Sequence, residues 1–125
     1  MTRIDRMTVS DVESGPGFEA RMHDLGGYTV SFETYTEDSD PAPLFVGLPD
    51  DHCQCPHWGY VLEGKLTYRY VDGTSEAIGA GEAYYAPPGH LPRFHAGASI
   101  VEFSPTEELA ATVKIVIANL EASAT

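Results

Sequence analysis

The stretch DDHCQCPHWGYVLEG at positions 50–64 places His52, Cys53, Cys55 and His57 within six residues. These are both of the chain's cysteines and two of its five histidines. Thiolates and imidazoles are the ligands that Zn²⁺ and other borderline transition ions prefer, whereas Mg²⁺ and Ca²⁺ prefer oxygen. Side chains at i, i+2 and i+4 of an extended segment share a face. That spacing would aim Cys53, Cys55 and His57 at one point, with Pro56 interrupting the regularity. The competing reading treats them as core, because free cysteine packs as a small hydrophobe and a histidine beside an apolar strand commonly finds a hydrogen-bond partner there.

The elements around this cluster must hold it in place. From Tyr28 the chain alternates strictly, with Tyr28, Val30 and Phe32 on one face and Thr29, Ser31 and Glu33 on the other, as a half-buried strand does. EDSDPAP at 37–43 reads as a loop, and LFVGL at 44–48 as a short apolar strand. WGYVL, the turn EGK and LTYRY read as a β-hairpin whose apolar face, Leu66, Tyr68 and Tyr70, points inward. Turns at Asp72–Gly73 and Gly79–Gly81 and a further strand EAYYAP keep the same short spacing, which predicts a small antiparallel β-barrel over 18–104. Residues 1–17 read as an arm or short edge element. Ser104, Pro105, Thr106 and Glu107 spell a capping box, and Leu109, Val113, Val116, Ile117 and Leu120 recur at helical spacing, so a C-terminal helix is expected over 105–121. Its apolar stripe must pack on the barrel or on a second copy, and a homodimer is the expected assembly.

Composition narrows the partners. A net charge of -12 repels phosphate backbones and anionic lipid surfaces, so neither nucleic acid nor membrane is an expected partner. No stretch approaches the ~20 apolar residues of a spanning helix, and a cytoplasmic setting is expected. In that reducing compartment Cys53 and Cys55 are expected as thiols or metal ligands, since a bridge between residues so close in sequence is strained.

Two further patterns carry a family resemblance. Tyr60, Val61, Leu62, Glu63 and Gly64 resemble the end of the first cupin motif, and Gly81, EAYYA, Pro87, Pro88 and Gly89 resemble the second. The resemblance covers about 44–104 and, with CQCPHWGYVLEG, PPGH and FSPTEEL, is similar to small bacterial cupin-domain proteins. It departs from the family at the ligands. Counting back from YVLEG, the family's Glu falls on His57 and its HxH pair falls near Asp51 and Cys53, or Asp50 and His52. The second motif's histidine falls on Pro92, between His90 and His95. Because the resemblance implies that the second motif faces the first across the barrel mouth, His90 is the fourth candidate ligand, completing Cys53, Cys55, His57 and His90 around a Zn²⁺-like ion. His52 is the substitute if the loop register shifts, and His95 is expected at the surface or a pocket wall.

Two functions follow. One is a metal-dependent enzyme acting on a small organic molecule, with lyase, isomerase or cyclase-type chemistry and no assigned catalytic residue. The other is a non-catalytic module that binds a small ligand or holds a structural zinc. Tyr68, Tyr70, Tyr84, Phe32 and Phe94 are candidate cavity or core aromatics, and Glu102, alternating with Val101 and Phe103, is expected to face outward.

Overall fold

A computed structural model of the chain describes residues 3–9 and 11–123. Among these described residues nine strands form two antiparallel sheets. In chain order the strands are β1 (Asp11–Gly15), β2 (Phe18–Leu25), β3 (Tyr28–Tyr35), β4 (His57–Glu63), β5 (Lys65–Tyr70), β6 (Ser75–Gly79), β7 (Ala83–Ala86), β8 (His90–Phe94) and β9 (Ser99–Pro105). The larger sheet runs β1-β2-β3-β9-β4-β7 and the smaller β6-β5-β8. One buried cluster draws on both, from Tyr35, Val61 and Ile100 on one side to Leu66, Tyr68 and Phe94 on the other, so the sheets pack face to face. A helix, α1 (Thr106–Ser123), follows β9.

Three local expectations are corrected by the structure. WGYVL and LTYRY do not pair as a hairpin, because β4 belongs to the large sheet and β5 to the small one. The chain changes sheets at Gly64, whose φ of +75° and 2.7 Å approach of a would-be Cβ to the Ala98 backbone leave no room for a side chain. LFVGL is not a strand, since a 3-10 turn occupies Ala42–Phe45. Pro41 and Pro43 supply no backbone donors for a ladder there. Ser104 does not cap α1, because its strand continues to Pro105 and its hydroxyl is engaged inside the fold.

One inner row of the larger sheet is polar, although Tyr35, Val61 and Ile100 of the same sheet face the apolar core. This row reads Ser31, Glu102, Gly59 and Tyr84, while the outward row beside it reads Val30, Phe103, Trp58 and Tyr85. Phe32 therefore lies on the outer side, paired with Val101, and Glu33 and Tyr35 follow Ser31 toward the interior. Leu66, Tyr68 and Phe94 are buried as expected.

Candidate metal centre

Backbone pairing builds the site. Outside the strands, Cys53 forms a bridge with His90 in which the Cys53 N–H donates to the His90 carbonyl at 2.8 Å and the Gly89 N–H donates to the Cys53 carbonyl at 2.8 Å. This clasp holds Cys53 against the PPGH turn. His57, the first residue of β4, sits opposite Ala86 of β7. The result is a group of Cys53 Sγ and one ring nitrogen each from His57 and His90, all within 4.8 Å of one another and all buried. The sulfur lies 3.7 Å from His57 Nε2, and the two imidazole rings are 4.9 Å apart. Cys55, the remaining residue of the expected set, is not in this group. Its Sγ lies 3.5 Å from the Pro56 carbonyl, and it packs with Phe45 and Cys53 against Leu48, Leu91, Leu109 and Val116. The physical reason is Pro56. Strand geometry begins only at His57, so the even alternation assumed for Cys53, Cys55 and His57 does not hold.

The protonation pattern favours a cation. A carbonyl can only accept, so the 2.6 Å contact from His90 Nδ1 to the Pro87 carbonyl places the ring proton on Nδ1. Nε2 then carries a bare lone pair, buried and without a hydrogen-bond partner in the protein. Such an atom is costly unless something electrophilic meets it. His57 Nδ1 is held 2.7 Å from Ser104 Oγ, which leaves its Nε2 toward the sulfur. Burial pushes both histidines down to about 4, with His57 adding to the effect at His90, so both are neutral at pH 7. Burial pushes the Cys53 thiol up to about 11, with the nearby Glu102 adding to it, and Cys55 up to about 12. A tetrahedral ion with bonds of about 2.0–2.3 Å needs its ligand atoms roughly 3.5 Å apart. The Cys53–His57 pair, at 3.7 Å, is already near that spacing, and the 4.8 Å limit on the whole group leaves no more than about 1.3 Å to close.

Beside this group lies a carboxyl cluster that the sequence reading put on the wrong face. Glu102 is buried, and its Oε1 accepts hydrogen bonds from Tyr68 at 2.6 Å and Tyr84 at 2.7 Å. Its Oε2 is 3.8 Å from His57 Nδ1. Glu33 accepts from Tyr35 at 2.6 Å. Neither carboxyl forms an ion pair with Lys or Arg among the described residues. Desolvation, with repulsion from Glu102, raises Glu33 to about 7, and desolvation raises Glu102 as well. Gly59 makes the cluster possible, because a Cβ there would overlap the Tyr84 ring and hydroxyl.

The comparisons with known proteins agree with this architecture. Residues 45–102 match the family model for the cupin domain. That segment is a cupin domain. A search of curated proteins finds no match. Among solved structures, the cupin is similar to the polyketide cyclase RemF from Streptomyces resistomycificus, with 21% identity, TM-score 0.58, and coverage of 84% of this chain and 79% of that one. It is also similar to a protein of unknown function from Rhizobium leguminosarum bv. viciae, with 21% identity, TM-score 0.57, and coverage of 83% and 95%. A Bacillus subtilis oxalate decarboxylase variant matches at 16% identity and TM-score 0.56, covering 82% of this chain and 28% of that one. At these identities the likeness shows the fold.

The other histidines of this cupin lie apart from the centre. His52 bonds through Nδ1 to the Asp50 carbonyl at 2.6 Å, and His95 Nε2 lies 3.0 Å from Thr67 Oγ1. His23 is exposed and lines, with Asp24, Thr29, Thr106 and Leu109, an open cleft of about 310 Å³ that shares no residue with the metal group. No helix among the described residues is long and apolar enough to cross a membrane.

Proposed function

We propose that this cupin binds a divalent transition metal, Zn²⁺ being the best match to the donor set, through Cys53, His57 and His90, and that the interior acts on a small organic molecule. The observation that carries the reading is the orphaned Nε2 of His90, whose tautomer is fixed by Pro87 so that its lone pair joins a thiol and a second neutral imidazole. Three protein ligands leave a coordination position open, the arrangement of catalytic rather than structural zinc. Bound there, the ion would supply Lewis acidity toward a carbonyl or water.

The chain's own residues supply the rest. Ser104 orients His57 from behind, with the Glu102 carboxyl 3.8 Å from the same ring nitrogen. With both tyrosine hydroxyls donating to Oε1 of Glu102, a proton on this carboxyl sits on Oε2, where it is available for general acid work. Lyase, isomerase or cyclase-type chemistry suits a site with one proton-holding carboxyl and neutral hydroxyl donors. Two proteins of similar structure, a polyketide cyclase and an oxalate decarboxylase, support small-molecule chemistry in this fold. A cytoplasmic setting is part of the proposal, supported by two cysteines that are free thiols.

One observation favours a second reading, a structural zinc in a non-catalytic binding module. Cys53, His57 and His90 are 2%, 7% and 0% exposed, so the centre is nearly sealed. X-ray absorption on the zinc-loaded protein separates the two. One sulfur, two nitrogens and a light-atom ligand support catalysis, two sulfurs support the structural role, and no zinc binding after removal of bound metal overturns both.

A further inference from the structure

The face that α1 turns toward the fold is not its most apolar one. Val113, Ile117 and Leu120 are exposed, whereas Leu109, Thr112, Val116 and Asn119, three or four residues apart, make up the inner face. Among the described residues of α1 only Thr112 is buried, at 5% exposure. Leu109 and Val116, one turn to either side of it, pack on the cluster of Phe45, Cys53 and Cys55. Between them the Thr112 side chain hydrogen-bonds to that of Cys53. Threonine is a poor helix former, and its hydroxyl is costly to bury without a partner, so packing alone gives no reason for it at the centre of this face.

We infer that Thr112 is a positioning residue of the metal centre, its hydroxyl donating to the Cys53 thiolate and holding that sulfur toward the ring nitrogens of His57 and His90. This rests on the reading of Cys53, His57 and His90 as ligands, and it brings into the centre a helix that lies outside the matched cupin segment, 45–102. A sulfur that has lost its proton needs donors. The Cys55 carbonyl, 3.8 Å from Cys53 Sγ, can only accept, so it suits the thiol and not the thiolate. His57 and His90 would turn their Nε2 lone pairs to the ion. A backbone hydrogen bond from Cys55 and the side-chain one from Thr112 then remain to favour the anionic sulfur against its burial. Any residue at position 55 other than proline supplies the first, whereas the second depends on the side chain at 112. The helix is also held so that this hydroxyl stays in place. Near its start the Thr106 N–H donates to the Gly27 carbonyl at 3.1 Å, and toward its end Asn119 Nδ2 donates to the Leu44 and Val46 carbonyls at 2.8 Å each. Thr112 lies about midway between these two ties.

Two substitutions separate hydrogen bonding from packing. Thr112→Val keeps the branched shape and removes the hydroxyl, and Thr112→Ser keeps the hydroxyl and leaves a methyl-sized gap. The full-length protein is loaded with Co²⁺, whose thiolate charge-transfer band reports the sulfur, and Zn²⁺ affinity is read by chelator competition. Expected is a thiolate band in the wild type. Thr112→Val should move that band to lower energy and weaken Zn²⁺ binding by about 10- to 100-fold, while Thr112→Ser stays close to the wild type in both. A threonine present only for packing predicts the reverse order. A valine variant with the band unmoved and Zn²⁺ bound as tightly, or a serine variant no better than valine, overturns the inference and leaves the three-ligand site standing. A wild-type protein that binds Co²⁺ without a thiolate band, or binds neither metal, overturns the ligand reading itself and Thr112's role with it.

Discussion

The number of protons released on metal binding separates the ligand sets most sharply. In the metal-free fold both histidines are neutral above pH ~5 and the Cys53 thiol, at about 11, is protonated throughout the working range. Ligation through Cys53, His57 and His90 must therefore expel one ligand proton, from the thiol. At pH 7 that deprotonation costs about 4 pH units, or roughly 5 kcal/mol of the intrinsic metal affinity. The apparent Kd for Zn²⁺ should tighten about tenfold per pH unit, hence about a hundredfold between pH 6 and pH 8. If Cys55, at about 12, were also a ligand, a second thiol proton would leave and the change would be about ten-thousandfold. The assay is competition against a chromophoric chelator at several pH values, with protons counted by calorimetry in buffers of different ionisation heat. A proton released from a metal-bound water would add to either count, so the comparison of variants decides. Cys53→Ser should remove one proton and most of the affinity, and Cys55→Ser should change neither. A proton lost from the count in Cys55→Ser, or affinity unaffected by Cys53→Ser, would refute the three-residue site.

Other consequences concern the interior cluster. Glu33 is raised to about 7 in the fold, so its stabilising contribution is full below its unfolded value of 4.5 and is lost as pH rises through 7. Glu33→Gln should therefore stabilise the protein at pH 8 by about 1–3 kcal/mol and have little effect at pH 4, as read from urea midpoints. The buried histidines act in the opposite sense: their folded values are depressed, so without metal the stability they provide above about 6.5 falls as pH drops toward 4, and zinc should resist that loss. Gly59→Ala must displace the Tyr84 ring and its bond to Glu102, costing about 2–5 kcal/mol, and Tyr84→Phe in the same chain should recover part of it. Ser104→Ala leaves His57 Nδ1 without its 2.7 Å partner and should weaken zinc binding by about 10- to 100-fold in the chelator assay.

Much of the fold was legible because it rests on local signals. The alternation from Tyr28, the turns at Asp72–Gly73 and Gly79–Gly81, and the helical stripe from Leu109 each report a backbone geometry that a few neighbouring residues decide. The failures need non-local information. Gly64 reads equally well as a hairpin turn or as a corner between sheets, and only the close approach of Ala98 distinguishes them. Ser104 satisfies every local rule for a helix cap, yet His57, 47 positions away, claims its hydroxyl. The same holds at the site. Cys53 meets His90 through a backbone bridge that no spacing rule foresees, while Cys55, matching in type and period, turns into the apolar cluster under α1.

Glu102 was misplaced for a more general reason. In SIVEFSP the residues beside it, Val101 and Phe103, outvote a lone carboxylate when strand faces are assigned by hydrophobicity. That rule assumes one buried face and one wet face. Here both faces of the large sheet depart from it in part, with Ser31, Glu33, Glu102 and Tyr84 inside beside Val61 and Ile100, and Trp58, Tyr85 and Phe103 exposed outside. Turning polar side chains into a core and aromatic ones out of it works against folding unless each side has a purpose. On the inner side the tyrosine hydroxyls satisfy the carboxyls, and the resulting network lies directly against the metal group through His57. On the outer side Tyr28, Trp58, Tyr60, Tyr85 and Phe103 make one exposed aromatic surface. β4 carries both duties in alternation, His57 and Gly59 inward, Trp58 and Tyr60 outward. Placement of His57 beside Glu102 and of Trp58 in the exposed aromatic surface is therefore one structural decision, made by the register of a single strand between β9 and β7.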